Sequence, residues 1–364
     1  MSKPYSQRKA FFAITIAALR SISKSPSSVI FTIAFPLIFI LVFGFIGGGG
    51  MNRVKLALAS NADTTNVIFQ SLKKEEKIKV LPYKTQKDLQ DKLSKGQISL
   101  LLDIQKDEQG KSVFNIIAGP GAQDASLQLQ SLIKNNLWNN NPELKAELAA
   151  LIEIKESTIQ SKEFKTIDFI LPGQLGFSLL AASVFGTAFV FFNLRQGLVL
   201  KRFFATPVRK EYILLGEGVA RMIFQLLGAL LIILIGRYFL GYTLIHGFVT
   251  VLNMLLLCAI GILIFMSFGF IISGIAKSES TVPPLANILT LPQFLLAGTF
   301  SPIESFPTWM QPISRALPLT YLNNALREVA FEGASLWAVR MDIAVLLLWG
   351  FIGYFVASKL FKWE

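Results

Sequence analysis

The 364-residue sequence has little chemistry of the usual kinds. It holds one cysteine, Cys258, and one histidine, His246. A single thiol excludes an intrachain disulfide, and one Cys with one His excludes a dedicated zinc site of the His/Cys type. Charge is scarce too: 16 % of residues are charged, against about 25 % in soluble domains. No G-x-x-x-x-G-K-[ST] stretch occurs, so a P-loop for ATP is absent. No nucleophile–base or metal constellation is visible. The expectation is a non-enzyme, with no catalytic, cofactor-binding or metal residues of its own.

Apolar residues are abundant instead. They make up 52 % of the chain and come in long blocks, the mark of a polytopic membrane protein. The net charge of +12 could suggest nucleic acid. Much of the excess, however, sits beside apolar blocks: in Met1–Pro26, in residues 194–211, and at Lys359 and Lys362. That is the positive-inside pattern, and it points to lipid headgroups rather than nucleic acid.

Residues 1–28 are expected to be cytoplasmic. Within them, 6–24 form an amphipathic helix in which Phe12, Ile16, Leu19 and flanking cations suit the membrane interface. Residues 29–50 hold the first span, with Pro36 as a kink and Gly47–Gly50 as a flexible exit. A basic lead before an apolar core also resembles a secretory signal. No Ala-x-Ala-like site follows, which favours an uncleaved span.

Residues 51–166 differ in composition and read as an α/β domain outside the cell. Val54–Ala59, Ile78–Leu81, Ile98–Ile104 and Val113–Ala118 are predicted strands. Thr65–Glu75, Thr85–Lys95 and Ala125–Trp138 are predicted helices, giving the order β-α-β-α-β-β-α. Pro142–Lys165 reads as a charged helix leading into the membrane.

Residues 167–364 hold five more spans: 167–192, 212–238, 248–275, 282–300 and 337–361. Each is long enough to cross, some with tilt, and six spans put both termini inside. Between the last two, Pro302, Pro307, Pro312 and Pro318 cut residues 301–333 into short helices folding back at the outer face. The expected fold class is therefore membrane all-α. It has six transmembrane helices, an interfacial N-terminal helix, an inserted extracytoplasmic α/β domain between the first two spans, and outer re-entrant helices before the sixth.

A short basic stretch, 194–211, joins the second and third spans. It carries Arg195, Lys201, Arg202, Arg209 and Lys210 against one acid, Glu211. Alternation of Leu198, Leu200, Phe203 and Phe204 with the cations predicts an interfacial helix, ended by Pro207. The cations either hold the loop inside or contact a cytoplasmic partner.

Ionisable groups within spans are functional candidates. Glu217 and Arg221 lie four apart and share a helix face; they form a structural ion pair or touch substrate. Arg327 with Glu328 or Glu332 could gate the outer exit or simply pack. Phe177, Phe185, Phe189, Phe191 and Phe192 would suit an apolar cargo, or else pack against lipid and neighbouring helices.

Three passages resemble the membrane subunits of bacterial ABC exporters of the ABC-2 family. They are Gln196–Lys210 with its Thr206-Pro207, Leu296–Ser314, and Leu317–Arg327 followed by Gly333. The outer α/β domain resembles that of the family's larger members. The resemblance implies a half-transporter that pairs with a second permease copy or paralogue and docks two ABC ATPase subunits, which bind the ATP and Mg. A periplasmic adaptor is a further partner to consider. The family's coupling element falls on Leu194–Lys210, so Arg195, Lys201, Arg202, Phe203, Thr206, Pro207, Arg209 and Lys210 are expected to meet the ATPase. The expected location is a bacterial inner membrane, and the expected cargo is a drug, lipid or peptide. A membrane-anchored sensor or scaffold, using its outer domain to bind a ligand or partner, is the alternative.

Overall fold

A computed structural model describes residues 6–25, 29–46, 54–59, 62, 67–75, 78–81, 89, 92–93, 98–106, 112–119, 122, 125–127, 129–133, 152–158, 165–197 and 208–360. The chain divides into two compact units, Met1–Phe45 with Thr166–Glu364, and Ile46–Lys165.

The larger unit is helical. Helix α1 spans Gln7–Ser23. A π turn, Ile30–Ala34, leads into α2, Phe35–Ile46. Helices α4 (Thr166–Gln196), α5 (Lys210–Phe239), α6 (Phe248–Ile275), α7 (Val282–Leu296), α8 (Gln311–Ala316), α9 (Pro318–Arg327) and α10 (Arg340–Leu360) follow; α3 belongs to the other unit. Four of these, α4, α5, α6 and α10, are long and apolar enough to cross a membrane. The fifth expected span is shorter than expected. Helix α7 has 15 residues, about 22 Å, because Ala297 to Pro302 turn away at Gly298, which takes a left-handed φ of 71°.

Side-chain contacts give each helix a direction. Arg221 meets Gly186 and Gln225 meets Ser183, so α5 runs against α4. Thr187 borders Gly269, and Arg195 reaches Gly274, so α6 runs with α4. Phe294 packs on Phe177 at 4.1 Å and Thr299 borders Gly173, so α7 runs against α4. Ile264 borders Gly350 and Ser267 borders Gly353, so α10 runs with α6. Thr32 meets Ser178 and Phe35 lies 6.2 Å from Phe177, which sets the π turn and α2 against α4. The direction thus alternates through α2, α4, α5, α6, α7 and α10.

After α7 the chain dips back into the bundle. The Leu319 N–H at the start of α9 donates to Gln293 Oε1 in α7 at 3.2 Å. Helix α9 then climbs along α4, from Leu319 beside Gly176 to Arg327 beside Phe169. This is the fold-back that the prolines imply.

Pro36 leaves the carbonyl of Thr32, four residues earlier, without its helical donor. The Ser178 hydroxyl donates to that oxygen at 3.2 Å. The break in α2 is therefore stitched to α4. The amphipathic pattern of α1 does form a helix, and that helix runs alongside the first turns of α5. Phe11 lies 6.5 Å from Tyr212, and Gly216 leaves room for Ile14. Phe12 and Ile16 remain exposed on its other face.

The smaller unit is a five-stranded sheet in the order β2-β1-β3-β4-β5. Its strands are β1 Val54–Leu58, β2 Ile78–Leu81, β3 Leu100–Lys106, β4 Ser112–Ala118 and β5 Ile152–Thr158. β1 pairs in parallel with β2 and β3, β3 is antiparallel to β4, and β4 is parallel to β5. Helix α3 (Val67–Lys74) and residues 129–133 bring Phe69, Leu72, Leu129 and Ile133 to the face of Leu56, Phe114 and Ile116. Leu89 and Leu93 cover Ala57 and Leu101 on the opposite face. Two covered faces explain why neighbours such as Leu56 and Ala57 are both apolar.

β5 corrects the helix expected over Pro142–Lys165. Ile152 and Ile154 alternate with Glu153 and Lys155, a period of two hidden in a Glu/Lys-rich, helix-favouring composition. The free edge of β4 supplies the hydrogen bonds that decide the outcome.

Candidate functional site

Of the expected coupling residues, Lys201, Arg202, Phe203, Thr206 and Pro207 lie outside the described residues, as does the Lys210 side chain. Those that flank them are placed. Arg195, near the C-terminus of α4, donates to Ala276 O at 2.7 Å and to Gly274 O at 3.3 Å. These are terminal carbonyls of α6, which lack helical donors and carry the negative end of its dipole. The guanidinium also sits 5.6 Å from the Phe192 ring. Arg195 thus clasps α4 to α6. On the other side of the loop, the Arg209 N–H donates to Gln7 Oε1 at 3.1 Å, while the Arg209 side chain is exposed. The basic stretch is therefore anchored at both ends, to α6 through Arg195 and to α1 through Arg209.

Deeper in the bundle, Glu217 and Arg221 pair as their spacing requires, at 2.6 Å. Arg221 also donates to Glu217 O at 2.9 Å and to Gly186 O at 3.4 Å. One turn on, the Ser183 hydroxyl donates to Gln225 Oε1 at 2.8 Å. Glu217, Arg221 and Gln225 form one polar stripe on α5, turned toward α4. Both Arg221 and Gln225 are buried. The ion pair orients Arg221, and its bond to Gly186 O with the Ser183–Gln225 bond sets the register of α5 on α4.

At the far end of the bundle, Arg327 does not turn to Glu328 or Glu332 for its hydrogen bonds. Its Nε and Nη2 donate to Phe169 O at 3.2 and 3.1 Å, and Nη2 also donates to Gly298 O. The cation lies 3.7 Å from the Phe169 ring centroid. Beside it, the fully buried Asp168 carboxylate accepts from the Thr243 N–H at 2.8 Å and from its hydroxyl at 3.1 Å. Adjacent residues of α4 therefore hold both the α5–α6 loop and the α7–α8 turn. The Ile245 N–H donates to Ala330 O at 3.3 Å, bringing that loop onto the π turn Glu328–Glu332.

Beyond Phe169, the phenylalanines of α4 divide into two sets. Phe177, Phe191 and Phe192 are core residues, with Phe191 packed 4.6 Å from Phe270. Phe185 and Phe189 are only half-buried and stack at 6.5 Å.

Several buried polar contacts escaped sequence reading: the Asp168–Thr243 clamp, Gln225, Gln293 and Asn323. Asn323 is buried, donates to Ala297 O at 3.0 Å, and abuts Gly176. For Gln225 and Gln293 the signal is a lone amide inside an apolar run. Such a group is costly in lipid or protein interior unless it is satisfied. Among the described residues, no group of three or more His, Cys, Asp or Glu side chains could hold a metal.

A helical bundle with four membrane-length helices, interrupted in sequence by an α/β unit and closed by a fold-back, defines a membrane protein. The chain belongs to the ABC-2 family of transporter proteins, whose family model matches residues 26–359. It is similar to the probable multidrug ABC transporter permease YbhS of Escherichia coli K12, 20 % identical over 351 residues, covering 92 % of this chain and 91 % of the relative. It is also similar to the linearmycin resistance permease protein LnrN of Bacillus subtilis 168, 21 % identical over 389 residues, covering 96 % and 99 %. ABC transporter G family member 20 of Dictyostelium discoideum is 27 % identical over 198 residues. There the match covers 53 % of this chain and only 26 % of the relative. These bacterial relatives are named as transport permeases, and ABC-2 permeases work with ATPase subunits.

Proposed function

We propose that this chain is the permease subunit of an ABC exporter in a bacterial inner membrane. It acts as a dimer with a second copy or paralogue and is driven by two ATPase subunits that carry the ATP and Mg. The alternating helix directions support six passes, with α2 and α7 as the two short ones. On that reading the α/β unit lies outside and both termini lie inside. Six alternating passes exceed what an anchored sensor requires.

The observation that carries the reading is the double anchoring of the basic stretch. A push on residues 198–207 acts through Arg195 on α4 and α6 together, and through Arg209 on α5 and α1. Packed helices move as rigid bodies, so four elements tilt as one. The polar stripe Glu217–Arg221–Gln225 keeps α4 and α5 in register as they do. At the far end, Arg327 and Asp168 hold the outer loops to α4, which supports a gate at that end. The half-buried stripe of Phe185 and Phe189 on α4 supports an apolar or amphiphilic cargo; multidrug and linearmycin-resistance relatives agree with that class.

Charge reversal of Arg202 and Arg209 together tests the coupling. In proteoliposomes with the partner ATPase, ATP hydrolysis should persist while transport of an amphiphilic dye stops. Unchanged transport at normal expression rules the coupling role out. A cysteine replacing Lys201 tests the orientation, and labelling of that cysteine from outside intact cells would reverse the topology.

A further inference from the structure

Helices α6 and α10 run in the same direction and touch closely at Gly350, where an added Cβ would lie 3.0 Å from Ile264. Beside that contact lies a groove of about 570 Å³, walled by Leu263 and Ile264 on α6 and by Leu347, Phe351 and Phe355 on α10. Leu347, Phe351 and Phe355 are 56, 72 and 53 % exposed. Tyr354 also lines the groove, but its hydroxyl is used inside the protein, donating to Leu263 O at 2.8 Å. No lining side chain therefore presents an unpaired polar atom, and the walls suit an apolar occupant.

A partner helix is not that occupant. Close helix contact in a membrane is favoured by small residues. The small residues here, Gly350 and Gly353, are already used against Ile264 and Ser267 of α6. What remains uncovered is Leu and Phe, on two helices of membrane-crossing length.

A cation stands at one end of the groove. Lys359 Nζ lies 4.6 Å from the centroid of the Phe355 ring. Helical side chains lean toward the N-terminus, which brings this ammonium back over the last ring of the groove. From Phe355 to Leu347 the helix rises about 12 Å, enough for a length of acyl chain. Lys359 lies one turn beyond, where a headgroup phosphate would stand.

We propose that this groove is a binding site for one anionic glycerophospholipid. Its acyl chain lies along Leu347, Phe351 and Phe355, and its phosphate meets Lys359. The site is separate from the coupling stretch and from the Phe185–Phe189 face, so it holds a resident lipid rather than cargo.

The test is titration of the delipidated full-length protein in detergent with phosphatidylglycerol, read by native mass spectrometry. The wild type should retain one lipid per chain. Lys359→Gln should weaken retention about fivefold, the effect of one cation at a lipid surface, and Lys359→Arg should preserve it. Leu263→Trp, which fills the groove, should abolish it. Leu231→Trp, on the exposed face of α5, should change nothing and controls for the added bulk. Wild-type retention by either Lys359→Gln or Leu263→Trp overturns the proposal. So does displacement of the lipid by glycerol phosphate alone, which would mark a free-phosphate site, or cross-linking between copies through Leu263→Cys, which would mark a protein interface.

Discussion

Arg327 grips Phe169 twice, by the main chain and by the ring. Its guanidinium donates to the Phe169 carbonyl from two nitrogens and lies 3.7 Å from the centroid of the same residue's ring. The third tie, to Gly298 O, joins the α7–α8 turn to α4 through one side chain. Few substitutions can reproduce that geometry, because only a planar fork both stacks and donates in several directions.

Arg327→Lys should therefore behave as a damaging change. It keeps the charge and loses the fork and the stacking, at a cost of about 2 kcal/mol from the lost charged hydrogen bond and cation–π contact. Arg327→Ala should cost more. Thermal unfolding of the detergent-purified variants should rank wild type above Lys above Ala; equal midpoints for wild type and Lys would show that charge alone matters.

The Asp168 clamp offers a finer comparison. Asp168→Asn keeps an acceptor for the Thr243 N–H and loses the charge. Asp168→Ala leaves that donor and the Thr243 hydroxyl without it. The expected losses are about 1 kcal/mol for Asn and about 2–3 kcal/mol for Ala. Protease nicking of the 240–247 loop should rise in the same order.

Gly176 is a contact glycine. A Cβ there would fall on Asn323 Oδ1. Gly176→Ala should destabilise by about 1–3 kcal/mol through overpacking. Adding Asn323→Ala removes the obstructing atom, so the double variant should be more stable than the sum of the single effects. Strict additivity in that cycle would mean that the two residues do not meet.

Arg195→Ala tests the clasp between α4 and α6. Its loss frees the Gly274 and Ala276 carbonyls, and amide exchange in the last turn of α6 should accelerate about 5- to 30-fold, the effect of losing about 1–2 kcal/mol of local protection. Hydrogen-exchange mass spectrometry reads that turn directly. In the reconstituted transporter the same variant should transport less per ATP hydrolysed.

Some of this was written in the chain. Block length and apolarity predict six spans, because about 20 apolar residues cross a bilayer, and four of them are helices of membrane length. The i, i+4 spacing of Glu217 and Arg221 specifies their pairing, because helix geometry is local. Pro302 to Pro318 specify that the chain must break and fold back, since proline removes a helical donor. Four strands of the α/β unit follow from β-branched and apolar runs.

The remainder depends on partners distant in sequence. Ile152–Thr158 becomes a strand because β4 offers it an edge, and no local pattern records that edge. Arg327 could have paired with Glu328 or Glu332, its neighbours in sequence. Packing instead carries it to a carbonyl 158 residues away, where burial next to α4 favours an arginine that donates to backbone carbonyls. Arg195 reads as a surface cation in a basic loop, and only the position of the end of α6 turns it inward. Sequence thus determines which segments can live in a membrane, since that depends on composition over one helix length. Which polar group meets which carbonyl depends on how those helices pack, and tertiary structure alone decides it.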